Sequence, residues 1–177
     1  MKSFLTGAIA VIALAALAAA ETKTDQTASA IIGGKTITIK YSSPAVNKRA
    51  GKLFGKDGTI GSDQNYPVWR AGANAATALH TDADLTIGDV SVPKGDYTLF
   101  INLADPEKWQ LIVNKQTGQS GLDYDAKQDL GHTNMTMSKP PAMVEQLKYT
   151  LSGTGGNKGK LELSWENHTA SVAFTVK

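Results

Sequence analysis

The stretch Val68–His80 (VWRAGANAATALH) carries the side chains whose types best suit ligand chemistry. Arg70 is a permanently charged, planar fork that matches carboxylates, phosphates and sugar hydroxyls. Trp69 beside it offers an aromatic face. Asn74 either contacts a ligand or bonds neighbouring backbone as a turn residue. The stretch therefore indicates either a binding rim or a structural corner of the fold.

The corner interpretation depends on the free energy needed to bury a charge. Trp69 is expected to be mostly buried, and Arg70 next to it needs a partner if it enters the same dry space. Glu166 is the predicted partner, because it follows Trp165 on a late strand. Gly72 is expected to let the chain turn without a side-chain clash. The stretch is thus interpreted as a corner first and a binding rim second.

Metal and nucleophile chemistry find little support in the sequence. His80, His132 and His168 are separated by 52 and 36 residues, without a close pair. That spacing favours scattered histidines over a metal site, so no metal or cofactor is predicted. Ser91–Lys94 matches S-x-x-K, but Pro93 and Gly95 mark a hairpin turn and not the helix start that this motif requires. No serine lies in G-x-S-x-G.

The first residues resemble a secretory signal. Lys2 precedes an apolar run, and Ala18 and Ala20 supply the small residues of a cleavage site, so residues 1–20 are predicted to be a signal peptide. The apolar run is shorter than the roughly 20 residues of a membrane-spanning helix. We therefore expect export to the periplasm or beyond the cell, with no stable membrane insertion after cleavage.

The amino-acid composition restricts the kinds of partner that this protein is expected to bind. Removing residues 1–20 leaves 17 basic and 16 acidic side chains, and the sequence has no cysteine. This balance gives no basic footprint for nucleic acid, and the fold must be held by packing without disulfides. Residues 21–27 are polar and are expected to form a flexible N-terminus, followed by a single domain over residues 28–177.

Short alternating segments predict an all-β domain. Residues 28–43 form a predicted hairpin around Gly33 and Gly34, ended by Pro44, and later strands are separated by glycine and proline turns. We expect about eight to ten strands in one antiparallel β-sandwich, jelly-roll-like or immunoglobulin-like, with one long loop (residues 45–67) before the third strand. The predicted core contains Ile37, Ile39, Leu79, Leu99, Ile101, Leu111, Val113, Leu161, Leu163, Val172 and Phe174.

Several motifs resemble a family of exported bacterial proteins. They are YSSPAVNKRAGKLFG, VWRAGANAATAL, VPKGDYTLF, WQLIVNKQTGQ and SWENHTASV, in that order along the chain. The chain is similar to the family catalogued as domain of unknown function 2911, from about residue 28 to residue 176. The resemblance implies export, a single β-rich domain and a bacterial source. It implies no catalytic residues, because the family has no assigned activity.

Two functions remain open. The first is a non-enzymatic module that binds a small polar ligand, a glycan or an envelope protein. The second is a hydrolase of cell-wall or polysaccharide material, with Glu166 or Asp129 as general acid or base. The binding module is favoured because no complete catalytic constellation is visible. Its predicted ligand-binding residues are Trp69, Arg70, Asn74, Asn114, Lys115 and Glu166, with further aromatic faces at Tyr97, Trp109 and Trp165.

Overall fold

The computed structural model describes residues 24–177. The predicted signal peptide lies outside the described residues. Thirteen strands follow in chain order: β1 (Thr24–Ile32), β2 (Lys35–Ser43), β3 (Val68–Trp69), β4 (Thr77–Thr81), β5 (Leu85–Ile87), β6 (Val90–Val92), β7 (Gly95–Asn102), β8 (Gln110–Asn114), β9 (Asp129–Asn134), β10 (Thr136–Ser138), β11 (Val144–Gly155), β12 (Lys158–Glu166) and β13 (His168–Val176).

The strands form two antiparallel sheets packed as a sandwich, which confirms the predicted fold class. The first sheet has the order β1-β2-β4-β7-β8-β9, with β3 paired to β7. The second has the order β11-β12-β13-β5-β6, with β10 paired to β13. Contacts of β1 with β11 and of β6 with β9 join the two sheets along their sides. A single apolar core therefore lies between the sheets.

Period-two alternation accounts for the core. In β2 and β4, Ile37, Ile39 and Leu79 are buried while their neighbours in sequence face away from the core. All eleven residues predicted for the core are buried. This is the pattern expected when one face of each strand packs against the opposite sheet.

The strand count exceeds the prediction because several strands are short or polar. β3, β5, β6 and β10 have only two or three residues, too few to show a period. β9 (DLGHTN) pairs with β8 although its sequence is largely polar. Main-chain hydrogen bonding, and not side-chain pattern, places such strands in the sheet.

β1 also begins earlier than the sequence analysis placed it. Thr24–Thr27 were expected to be loose, but they pair with Lys40–Ser43 of β2. Their side chains are exposed, so hydrophobicity gives no signal there. The pairing is a continuation of the hairpin register that the Gly33–Gly34 turn sets.

The long connection between β2 and β3 contains no strand and one short turn of 3-10 helix, Ile60–Ser62. Leu53 is fully buried, and Phe54 packs against the core. This connection therefore folds back over the sandwich. It positions most of the residues of the cavity described next.

Candidate functional site: an arginine-lined cavity

A cavity of about 470 Å³ opens between the long connection, the corner after β3 and the end of β12. We call it the arginine cavity. The residues that line it are Pro44, Arg49, Thr59, Ile60, Ser62, Asp63, Gln64, Trp69, Arg70, Gly72, Ala73, Asn74, Leu122 and Trp165. Half of these residues have polar or charged side chains, which can contact the polar groups of a ligand.

Arg49 and Arg70 are the only arginines in the sequence, and both line this cavity. Arg70 Nη2 donates to Asp63 Oδ2 at 2.9 Å, with side-chain exposures of 22% for Arg70 and 6% for Asp63. Arg49 donates from Nε to the Val46 carbonyl and from Nη2 to the Ala45 carbonyl, at 3.0 and 2.6 Å. Backbone carbonyls and one carboxylate therefore hold both guanidinium groups at the cavity wall.

Local structure fixes Asp63 opposite Arg70. Asp63 follows the 3-10 turn, and its backbone N–H donates to the Ile60 carbonyl at 3.0 Å. Its Oδ1 accepts from the Asn65 backbone N–H at 3.2 Å. The carboxylate is thus bonded on both oxygens, which restricts its rotation and that of the arginine it contacts.

The corner after β3 turns at Ala71 and Asn74, which have φ values of 50° and 60°. As predicted, Gly72 avoids a side-chain clash at this corner. A Cβ at Gly72 would lie 2.9 Å from Thr77 Oγ1 and 3.2 Å from the Ser42 carbonyl oxygen, so glycine is required by close approach. The left-handed backbone at Asn74 is one that asparagine tolerates better than most residues.

Gly121 makes room for the arginine stem. A Cβ at this position would clash with Arg70 Cδ and would lie 2.9 Å from both Arg70 Cβ and the Asn74 carbonyl oxygen. The Gly121 N–H donates to that carbonyl at 2.9 Å. The absence of a side chain at Gly121 therefore allows Arg70 to lie along this wall.

Aromatic rings support the cavity from below. Trp69 and Trp165 stack with centroids 5.8 Å apart at an angle of 14°, and both are buried, as predicted for Trp69. Phe54 contacts Trp69, Trp165 and Trp109, so all three tryptophans of the chain meet at one ring. The cluster gives the arginine wall a rigid apolar support.

The comparison with protein families matches residues 23–174 to the family described as "Protein of unknown function (DUF2911)". The match covers most of the 177 residues. The chain belongs to this family. No match was found among curated proteins or among solved structures. The family resemblance inferred from the sequence motifs is therefore confirmed.

In this member of family 2911, three of the six predicted ligand-binding residues come together. Trp69, Arg70 and Asn74 all line the arginine cavity. The other three do not line it. Asn114 is fully buried in β8, and its side chain bonds the Asp125 carbonyl, Asp129 and the Gln116 N–H. Lys115 is exposed on the following segment.

The predicted pairing of Arg70 with Glu166 is wrong, because Asp63 takes that position. Glu166 is 2% exposed and accepts a short hydrogen bond from the Gly51 N–H. Its Oε2 lies 3.5 Å from His168 Nδ1, an ion-pair separation without good hydrogen-bond geometry. Burial lowers the pKa of His168, and the nearby Glu166 carboxylate partly offsets this.

The two acids considered for hydrolysis lie apart from the cavity and have other contacts. Asp129 accepts from Asn114 Nδ2 at 2.8 Å and from the Tyr124 hydroxyl at 2.6 Å, and it lies 2.7 Å from His132 Nε2. Burial, with the hydrogen bond to Asp129, raises the pKa of Tyr124. Among the described residues lining the arginine cavity, Asp63 alone carries a carboxylate. The cavity therefore lacks the acid pair that glycoside hydrolysis uses.

The three histidines have separate environments. His80 lies between Asp96 and Asp82, His132 beside Asp129, and His168 beside Glu166. Within residues 24–177 no group of three or more acidic or histidine side chains is placed to hold a metal ion. No helix in this range has the length and apolar character needed to span a membrane.

Sequence reasoning missed Arg49 and Asp63, the two charged residues that complete the cavity. Both lie in the connection between β2 and β3, which shows no strand or helix period. One signal was present in the sequence: the chain has only two arginines against sixteen lysines, and they lie near the two ends of that connection, Arg49 inside it and Arg70 just after β3. A rare residue type at both ends of one long loop points to a shared site.

Proposed function

We propose that this protein is a non-enzymatic binding module whose arginine cavity takes a small polar molecule bearing a carboxylate or phosphate. The observation that carries the proposal is that both arginines of the chain line one cavity that has a single carboxylate. Guanidinium groups match the geometry of oxyanions, and water is partly excluded where the stems are buried.

The lining also supports recognition of the rest of the ligand. Arg70 uses one of several guanidinium N–H groups on Asp63, which leaves donors for a ligand oxyanion. Ser62, Gln64 and Asn74 supply hydroxyl and amide groups on the same wall. A small molecule with one charged group and several hydroxyls, such as a sugar acid or sugar phosphate, fits this set.

Tryptophan fluorescence tests the proposal directly, because Trp69 and Trp165 line the same cavity as the two arginines. The probes are galactose, galacturonate and galactose 6-phosphate, which differ only in the group at one carbon. We expect a saturable emission change with at least one charged sugar and none with galactose. Arg70→Ala should weaken that binding by about tenfold or more, the loss of a charge-assisted contact.

Lys158→Ala is the matched control, since Lys158 is an exposed cation on the hairpin between β11 and β12. It removes the same charge without touching the cavity, so binding should be unchanged. Equal responses to galactose and its charged derivatives would contradict the proposal. So would unchanged binding in a folded Arg70→Ala protein.

We also propose that the protein is exported after cleavage behind Ala20. The support is the sequence pattern of Lys2, the apolar run and Ala18-x-Ala20. Mass spectrometry of protein from its native host should find Glu21 as the first residue. An intact Met1 in a cytoplasmic fraction would contradict export. An exported binding module would meet glycans and envelope proteins as partners.

A further inference from the structure

The outer face of the first sheet carries a second concave region. Thr27, Lys40 and Ala78 are direct cross-strand partners on β1, β2 and β4. Their neighbours in sequence, Ile39 and Leu79, are buried in the core, so this row faces away from it. A second row, Thr38 with His80 and Asp96, lies beside the first on the same face.

Two adjoining cavities occupy these rows. One, of about 390 Å³, is lined by Thr38, Lys40, Ala78, Leu79, His80, Asp96, Tyr97 and Thr117. The other, of about 400 Å³, is lined by Asp25, Gln26, Thr27, Lys40, Tyr41, Ser42, Ala75, Ala76, Ala78, Gly118 and Gln119. They share Lys40 and Ala78 and so form one groove, which we call the outer groove.

Small side chains and a neighbouring loop segment line the outer groove. Ala78 lies on β4 and Ala76 just before it, and Thr117–Gln119 line the groove beside them. The Ala76 N–H donates to the Gln119 carbonyl at 3.3 Å, and Ala75 bridges to Ser120. The groove is therefore a fixed feature of the fold and not a gap between loose side chains.

Gln119 supplies an unsatisfied polar group at the groove. Its Oε1 lies 3.4 Å from the Thr98 hydroxyl, while its buried Nε2 has no hydrogen-bond partner among the described residues. Exchanging the amide O and N leaves the other atom unpartnered in the same way. An unpaired buried amide atom is unfavourable by about 1–3 kcal/mol, and rotation of the Gln119 side chain toward a ligand in the groove recovers that energy.

A hydroxyl pairs with this amide in either orientation, because the same oxygen both donates and accepts. The rest of the lining fits the same chemistry, with hydroxyls on Thr27, Thr38 and Thr117. Charges nearly cancel: Lys40 lies among Asp25 and Asp96, and Asp96 bonds His80. A neutral molecule rich in hydroxyls suits this surface better than an anion.

We infer that the outer groove binds a short neutral oligosaccharide. From Ser42 to Thr38 the groove follows β2 for roughly 13 Å, a length that accommodates more than one sugar ring. This site differs from the arginine cavity in position, charge and ligand. Its existence does not depend on the proposed function of the cavity.

Heteronuclear NMR of the purified protein tests the inference, with cellotriose and maltotriose as probes. We expect saturable amide shifts at residues 38–40, 78–80 and 117–119 with one or both trisaccharides. Ala78→Arg should abolish them, because it fills the groove from an exposed position. Gln119→Leu should weaken binding by about fivefold, the effect of one hydrogen bond.

Ala173→Arg is the matched control, since Ala173 is exposed on β13 of the opposite sheet. It should bind the trisaccharides as the unchanged protein does. The inference is overturned if neither trisaccharide gives saturable shifts, or if the shifts persist in Ala78→Arg. Shifts confined to Arg49 and Arg70 would also overturn it, while leaving the arginine cavity as a binding site.

Discussion

At the scale of single residues, Asp63 and Arg70 combine a structural and a binding role. Asp63 is nearly buried and Arg70 is about one-fifth exposed, so their ion pair lies between a surface pair and a buried one. Surface pairs contribute about 0–1 kcal/mol, and breaking a fully buried pair costs about 3–5 kcal/mol. We expect this pair to contribute about 2 kcal/mol to the free energy of unfolding.

Asp63→Asn separates stability from binding at this pair. The substitution keeps the shape and one acceptor but removes the charge that competes with a ligand oxyanion for Arg70. We expect the free energy of unfolding to fall by about 1–2 kcal/mol, and the affinity for the charged sugar to rise. Denaturant unfolding and tryptophan titration measure the two effects. A fall in both would show that Asp63 positions Arg70 for the ligand and does not compete with it.

The lowered pKa of His168 predicts that the folded protein loses stability at mildly acid pH. Burial lowers its folded-state pKa below that of the unfolded chain, so the unfolded state binds the extra proton first as pH falls. Stability is therefore full above the unfolded pKa of about 6.5 and declines below it. His168→Phe keeps the ring beside Trp109 and Phe54 and should remove this part of the decline.

His80 gives the control of opposite sign. A hydrogen bond to Asp96, and a weaker effect of the one to Asp82, raise the pKa of His80 in the folded protein. The contribution of His80 to folding stability is therefore full below its pKa in the unfolded chain and is lost as the pH rises through its folded pKa. His80→Asn should therefore lower the melting temperature more at about pH 5.5 than at about pH 8.5. Identical pH profiles for both variants and the unchanged protein would contradict these assignments.

At the scale of elements, the connection between β2 and β3 forms part of the cavity wall and is held to the core by Leu53 and Phe54. Two different strands supply the aromatic residues at the two ends of the site. Trp69 lies on a two-residue strand paired to Ile101 of β7, and Trp165 lies at the end of β12 opposite His168. Phe54 links these ends through ring contacts.

Phe54→Ala should loosen the aromatic cluster. The ring is partly buried, so we expect a loss of about 2–3 kcal/mol, at or below the low end for buried aromatic residues. Because all three tryptophans contact this ring, their emission should move to longer wavelength as water reaches them. Ile31→Ala is the comparison, since Ile31 is 76% exposed, and it should change neither property. An unshifted emission in Phe54→Ala would contradict the linking role.

The turn between β12 and β13 contains a second contact that stabilises the long connection. Glu166 has a φ of 54°, an unusual backbone conformation for a residue other than glycine. Its carboxylate accepts the hydrogen bond from Gly51, which ties this turn to the long connection. The strained turn and the connection therefore support each other next to Trp165, which lines the arginine cavity.

At the scale of the whole molecule, one core joins both sheets. Buried residues from β2, β4, β7 and β8 pack against those from β12 and β13 in a single cluster. A second, smaller apolar layer lies outside the first sheet, where Tyr124 covers Phe100 at a ring separation of 4.9 Å. The segment after β8 thus closes the outer face beside the outer groove.

A single core predicts cooperative unfolding. In guanidinium chloride, the transition followed by tryptophan emission should coincide with the one followed by far-UV circular dichroism. Tryptophan emission follows unfolding at the end of the sandwich that holds the arginine cavity, and far-UV circular dichroism follows the loss of strands in both sheets. Separate transitions would show that the cavity end unfolds as a unit of its own.

The sequence by itself determined the sandwich and its core. Apolar and polar residues alternate around Ile37 and Ile39, and around Leu161 and Leu163, and this pattern is visible within a single strand. These four residues are buried, as predicted. The family followed from motifs spread along the same strands and turns. Local pattern is sufficient for these properties because a strand shows its buried face within a few residues.

Only the tertiary structure decided which charged groups meet. Arg70 was expected to pair with Glu166, yet a turn seven residues earlier brings Asp63 to it, and Glu166 bonds Gly51. Arg49 and Gln119 lie in segments without a period, so nothing local placed them at a cavity. Ion pairs and cavities depend on contacts between segments far apart in the chain, and these are set by how the sheets and the long connection pack.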